Sequence, residues 1–161
     1  MDGLKGYLPW TKSCFVCGEE NRHGLKRRSW IEDGVVSLEY RTRIEDVGYR
    51  HIVHGGISMT LLDEVMTWAA IVELKNICVA AELSTRFRAP LEADTDIRVE
   101  GWVEKASRRL CLTAGRLLDA QGRELLTATA KYMPMPADGV RLCEKDFVIS
   151  PDSIHPRDII G

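Results

Sequence analysis

The sequence lacks any apolar run long enough to span a membrane. Its longest stretch free of Asp, Glu, Lys and Arg is residues 51–62, twelve positions, whereas a spanning helix needs about 20 apolar residues. Residues 1–10 hold no apolar leader of the secretory kind. Charge of one sign is lacking too. Twenty-two Lys and Arg stand against 24 Asp and Glu, for a net charge of −2, so bulk electrostatics draws neither nucleic acid nor an anionic membrane. There is no internal repeat and no low-complexity tract. At 161 residues the chain is too short for a TIM barrel or a full Rossmann enzyme. It suits one domain, of a size at which folding buries roughly 70% of the extended-chain surface. Five cysteines, an odd number without an export signal, point to reduced thiols and a cytoplasmic protein.

What is present organises into a body, residues 1–133 with a short lead at 1–12, and a tail, residues 134–161. Four of the six prolines lie in the tail: Pro134, Pro136, Pro151 and Pro156. Regular structure is not expected to run through Pro134-Met135-Pro136. The tail still carries Phe147, Val148, Ile149, Ile154, Ile159 and Ile160, content that favours packing on the body over a solvated linker. In the body, Val36, Leu38 and Tyr40 alternate with polar residues, the period of a half-buried strand. Ile97, Val99 and Val103, with Gly101 in register, repeat the pattern. So do Leu110, Leu112 and Ala114, and then Leu126, Ala128, Ala130 and Tyr132. Asp119 to Gly122 reads as a hairpin turn between the last two runs. Residues 77–87 are also strand-like, with Pro90 as their stop. Short consecutive strands with tight turns imply an antiparallel sheet.

The spacing predicts one long helix, starting just after His54-Gly55-Gly56 and ending near Leu74. Between residues 57 and 72 only Asp63 and Glu64 are charged, and apolar residues occupy nearly every face. Such a helix is buried. The expected fold is α+β, a long buried helix wrapped by an antiparallel sheet.

Two adjacent carboxylates in a buried helix require partners or a cleft, because burying an unpaired carboxylate costs several kcal/mol. They point about 100° apart. An ion pair with Arg86 or Arg88 is one explanation; chemistry is the other. Gly55 and Gly56 lack Cβ atoms, so a ligand can approach the backbone closely. The first N–H groups of a helix are unpaired and partly positive, which suits a carbonyl oxygen turning into an oxyanion. Asp63 lies two turns further along and could face the same cleft. This combination suits hydrolysis of an activated acyl group.

His54-Gly55-Gly56 followed by Asp63 resembles the signature of hotdog-fold acyl-CoA thioesterases of the PaaI type. Cys14-Phe-Val-Cys17-Gly18 with Asn21, Gly24 and Leu25 resembles the N-terminal block of one subgroup. Ala81-Glu82-Leu83 through Arg86-Phe87-Arg88 and Pro90 resembles the strand after the hotdog helix, and Gly122, Leu125 and Ala128 fit the last hairpin. The likeness covers roughly residues 12–133. It implies thioester hydrolysis with Asp63 as general base or nucleophile. Gly55 would polarise the carbonyl, Gly56 would line the site, and His54 would either position substrate or bond the backbone at the helix entry. Glu64 is the alternative carboxylate. Many catalytic relatives place Ser or Thr where this chain has Ala80, which cannot orient water; Glu82 and Ser84 share its face only if the strand is regular.

No cofactor is implied. Cys14 and Cys17, with His23 nearby, fall short of the four ligands of a structural zinc site, so no metal is expected and a turn or packing role is. Arg108 and Arg109, at a hairpin tip, are candidates for the phosphates of CoA. Pocket depth depends on how Met59, Met66, Trp68 and Tyr49 pack. A body of one helix and one sheet offers little concave surface. The resemblance implies a homodimer or homotetramer with the site between subunits.

Overall fold

The computed structural model describes residues 3–161; Met1 and Asp2, the start of the expected lead, lie outside the described residues. In chain order come β1 (Gly6–Tyr7), β2 (Trp10–Thr11), β3 (Trp30–Glu32), β4 (Val35–Arg41), β5 (Val47–Tyr49), β6 (Ile52–Val53), α1 (Gly55–Leu74), β7 (Cys78–Phe87), β8 (Asp96–Ser107), β9 (Leu110–Asp119), β10 (Glu124–Pro134), α2 (Ala137–Glu144), β11 (Phe147–Val148) and α3 (Pro156–Ile159). Seven strands form one sheet in the order β1-β3-β4-β8-β9-β10-β7, with every neighbouring pair antiparallel. The helix α1 lies across this sheet and is buried on most sides, from Leu61 and Leu62 through Val65, Met66, Trp68 and Ala69 to Val72. The α+β hotdog arrangement expected from the sequence is the one found.

The helix and sheet meet backbone to backbone. Gly101 on β8 pairs with Gly115 on β9. A Cβ at Gly101 would stand 2.9 Å from Met66 N and Val65 C, and one at Gly115 would stand 2.8 Å from Glu100 O and 3.2 Å from the Met66 side chain. Two glycines side by side thus form a saddle on which the middle turn of α1 rests.

Three details differ from expectation. The helix begins at Gly55, so both glycines lie inside its first turn, because the His54 side chain caps them. Strand β10 extends to Pro134, which pairs with Cys78 as the last residue of the ladder and so gives up no interior hydrogen bond. The chain breaks only after it, and Pro136 caps α2. Finally, β7 is not regular. Lys131 pairs with Glu82 but Tyr132 pairs with Ala80, so the bulge falls between Ala80 and Glu82 and breaks the alternation that would have kept them on one face.

The tail returns to the lead. Strand β11 pairs with β2, Ile154 N–H donates to Tyr7 O at 2.8 Å, and Ile159 and Ile160 are buried against the core.

Replacing Gly101 with alanine is expected to destabilise the protein by about 1–3 kcal/mol, seen as a lower urea midpoint at unchanged slope. An unshifted midpoint would mean that α1 and β8 are not in the close contact described.

Candidate active site at the head of the core helix

His54 is exposed and ends the short β6 connection in extended conformation, φ −62° and ψ 129°. Its Nδ1 accepts the Gly56 N–H at 2.9 Å. Of the two roles open to His54 in the sequence, the structure therefore shows the backbone bond. Occupying Nδ1 puts the proton of the neutral ring on Nε2. Among the described residues nothing accepts the Gly55 N–H, while Ile57 N–H is taken by His54 O at 2.9 Å. Gly55 thus keeps a bare donor at the positive end of a 20-residue helix.

A groove of about 760 Å³ runs past this end. His54, Gly55 and Ser58 line it together with Tyr49, Phe87 and Arg88. A Cβ on Gly55 would stand 3.0 Å from the Phe87 ring, so the missing side chain is what lets ring and backbone meet. Of the residues expected to shape the pocket, Tyr49 lines this groove, whereas Met66 and Trp68 are buried in the core.

Asp63 is half-buried two turns further along α1. Its Oδ1 accepts the Tyr132 hydroxyl at 2.6 Å and the Thr67 hydroxyl at 3.4 Å. No hydrogen bond reaches Oδ2 among the described residues. Tyr132, fully buried on β10, also reaches the Asp63 carbonyl at 3.2 Å. Burial, and then the Asp63 charge, push the phenol above its ordinary value, so it stays a donor at any physiological pH. Tyr132 enters the sequence reading only as the inward end of a strand; its partner becomes visible when β10 crosses α1. Gly55 and Asp63 are eight residues apart, about 12 Å along the axis, and Asp63 does not line the His54–Gly55 groove.

The other candidates are scattered. Ala80 is exposed on β7 opposite Tyr132. Glu82 is committed to Lys131, at 2.7 Å, an exposed pair of small energetic weight. Arg108 and Arg109 form the exposed β8–β9 turn, away from the groove. Of the arginines offered as partners for the helix carboxylates, Arg88 instead pairs with Glu124 at 2.9 Å.

Glu64 faces elsewhere. Its Oε1 accepts the Trp68 indole N–H at 2.9 Å, and its Oε2 accepts from Cys14 Sγ at 3.6 Å. Burial pushes the Glu64 carboxyl up to about 8. A hydrogen bond from Cys17 draws the Cys14 thiol down to about 6. This second cluster is separate from the His54 groove.

Residues 51–126 match the model of the thioesterase superfamily. A thioesterase superfamily protein of known structure is 26% identical, with a TM-score of 0.67 over 76% of this chain and 63% of its own. The E. coli PaaI protein from the phenylacetic acid degradation operon superposes with a TM-score of 0.64 at 14% identity, over 70% of this chain and 81% of its own. A hypothetical thioesterase from Streptococcus pneumoniae TIGR4, solved with coenzyme A, gives 0.60 at 20% identity, over 65% and 83%. An uncharacterised protein of Schizosaccharomyces pombe is 32% identical over 85 residues, 52% of this chain. The match spans about half of that relative, 49% of its length. The fold is thus the hotdog fold, and residues 51–126, a little under half of the chain, carry the thioesterase-superfamily pattern.

Replacing Tyr132 with phenylalanine is expected to cost about 1 kcal/mol of stability, measured by thermal or urea unfolding, because the Asp63 oxygen loses its fixed donor. No loss would show that the hydroxyl does not hold Asp63.

Proposed function

We propose that the protein hydrolyses the thioester of an acyl-CoA to the free acid and coenzyme A, at a site shared by two copies of the chain. The observation that carries the reading is Asp63: a half-buried carboxylate with one oxygen fixed by Tyr132 and the other open. Such a group suits a general base for water, or a nucleophile toward the carbonyl carbon. As base, it takes the water proton while the oxygen bonds to the carbonyl carbon. The oxyanion rests on the bare Gly55 N–H, where helix dipole and amide both favour negative charge. Collapse breaks the C–S bond, and the CoA thiolate leaves and takes up the proton. Gly56, held by His54, keeps the first turn in place for this contact.

The separation of about 12 Å along α1 is too long for one thioester to meet Gly55 and Asp63 of the same chain. A two-fold related copy with antiparallel helices sets Asp63 of each chain toward Gly55 of the other. The unpaired edge of β7, with Val79, Phe87 and the neighbouring Met133 exposed, supports a contact there. Arg88, at the groove, and Arg108 and Arg109, if carried by the second copy, are the cations offered to the CoA phosphates. A reducing cytoplasm suits the five unpaired cysteines. The alternative is an acyl-CoA-binding protein without turnover. Ala80 favours it, since the position opposite Tyr132 offers no hydroxyl to hold a water.

An acyl-CoA panel read by mass spectrometry, which avoids thiol reagents, tests the reaction. Turnover by the wild type, reduced at least roughly a hundredfold in Asp63→Asn with acyl-CoA binding kept, supports the enzyme. Binding without turnover in the wild type supports the alternative. Analytical ultracentrifugation tests the shared site: a dimer or tetramer is expected, and a strictly monomeric, fully active protein would contradict it.

A further inference from the structure

We propose that Cys14, Cys17 and Glu64 bind a thiophilic divalent cation of the zinc type, whose fourth coordination position opens into the cavity beside Trp68. The sequence left the Cys14–Cys17 pair two ligands short of a metal site, with an exposed His23 as the nearest addition. The fold supplies a different donor. Helix α1 carries Glu64 under the N-terminal arm, and the two sulfurs and a carboxylate oxygen all lie within 4.8 Å of one another. Zinc binds thiolate at about 2.3 Å and carboxylate at about 2.0–2.2 Å, so small side-chain rotations bring these three atoms onto one ion.

Three observations support the site. First, Glu64 is only 9% exposed, and among the described residues its carboxylate meets the Trp68 indole and the Cys14 sulfur but no Lys, Arg or His. A carboxylate buried without a cation is costly, and a bound divalent ion removes that cost. The sulfurs, acting as thiolates, complete a trianionic donor set that a dication suits. Second, the turn holding the cysteines presents its backbone to sulfur. Val16 N–H donates to Cys14 Sγ at 3.3 Å, and Gly18 N–H closes the turn on Cys14 O at 2.9 Å. A Cβ at Gly18 would stand 2.2 Å from that same oxygen, so the turn requires glycine directly after Cys17. An amide aimed at a ligating sulfur is the usual outer support of a thiolate ligand. Third, a cavity of about 460 Å³ adjoins the cluster, lined by Thr11, Trp68, Ile71 and Phe147 among others. Three protein donors and an open fourth place are the makings of an accessible zinc site rather than a closed one. The ion would also tie the arm before β3 to the core helix, across a long stretch of sequence.

The test uses the full chain, stripped of metal and kept under a non-chelating reductant. Zinc is titrated against a chromophoric chelator, and cobalt(II) is used as a spectroscopic stand-in. One equivalent per chain is expected, together with a sulfur-to-cobalt charge-transfer band. Cys14→Ser and Cys17→Ser should each weaken binding by more than roughly a hundredfold, beyond the 10–100-fold typical of outer-shell partners, and Glu64→Gln by at least roughly tenfold. Cys143→Ser, at the rim of the same cavity, should bind as the wild type does. Circular dichroism checks that each variant is folded, and Glu64→Gln, nearly isosteric, guards against a Cys17→Ser variant that fails to fold. No stoichiometric binding, no charge-transfer band, undiminished binding in Cys17→Ser or Glu64→Gln, or a native Cys14–Cys17 disulfide would each overturn the proposal.

Discussion

The close approach of α1 to the paired glycines of β8 and β9 governs the rest of the molecule. With Gly101 and Gly115 facing each other, the helix backbone sinks onto the sheet backbone at Val65 and Met66. That depth decides which residues of α1 can remain polar. Asp63 and Glu64 immediately precede the contact and leave the helix about 100° apart. One reaches the β10 side, where Tyr132 waits for it; the other reaches the N-terminal arm, where Cys14 and Cys17 do. Two neighbours in sequence thus serve two separate places because a helix turns about 100° per residue.

The same depth separates the two halves of the proposed reaction centre. The donor at Gly55 lies at the helix head, and the carboxylate lies near its middle. The two lie about 12 Å apart along the axis of one continuous helix, and the neighbouring sheet edge, β7, is bare. The bulge between Ala80 and Glu82 gives this edge an irregular profile beside Tyr132. A chain whose chemistry is split along one rigid rod has reason to be used in pairs, which is why the oligomer and the activity are linked in the proposal.

Much of the fold was legible beforehand. Alternation and turn residues mark strands at residues 36–41, 97–103, 110–114 and 126–132 and a strand-like run at 77–87, all of which fall within strands of the sheet or at their edge, and α1 follows from its nearly uncharged, all-round apolarity. The His54-Gly55-Gly56 and Asp63 positions carried the family likeness. The roles within the site were less legible. The capping bond of His54 depends on a ring orientation that no spacing encodes. Tyr132 lies 69 positions from Asp63 in sequence, and its hydroxyl finds the carboxylate only because β10 crosses the helix at that level. The bulge at residue 81 leaves no mark in a run of small and polar residues.

The sequence by itself determined the class of the fold: a charge-balanced chain, one buried helix, an antiparallel sheet, and a glycine pair at the helix head followed at helical spacing by a carboxylate. These are local matters of periodicity, capping and composition, and local chemistry decides them. Only the tertiary structure decided which carboxylate meets which partner. Asp63 is held by a tyrosine, and Glu64 by Trp68 and Cys14, because long-range packing sets the angle at which α1 lies on the sheet. A donor set drawn from residues 14, 17 and 64 exists in space alone.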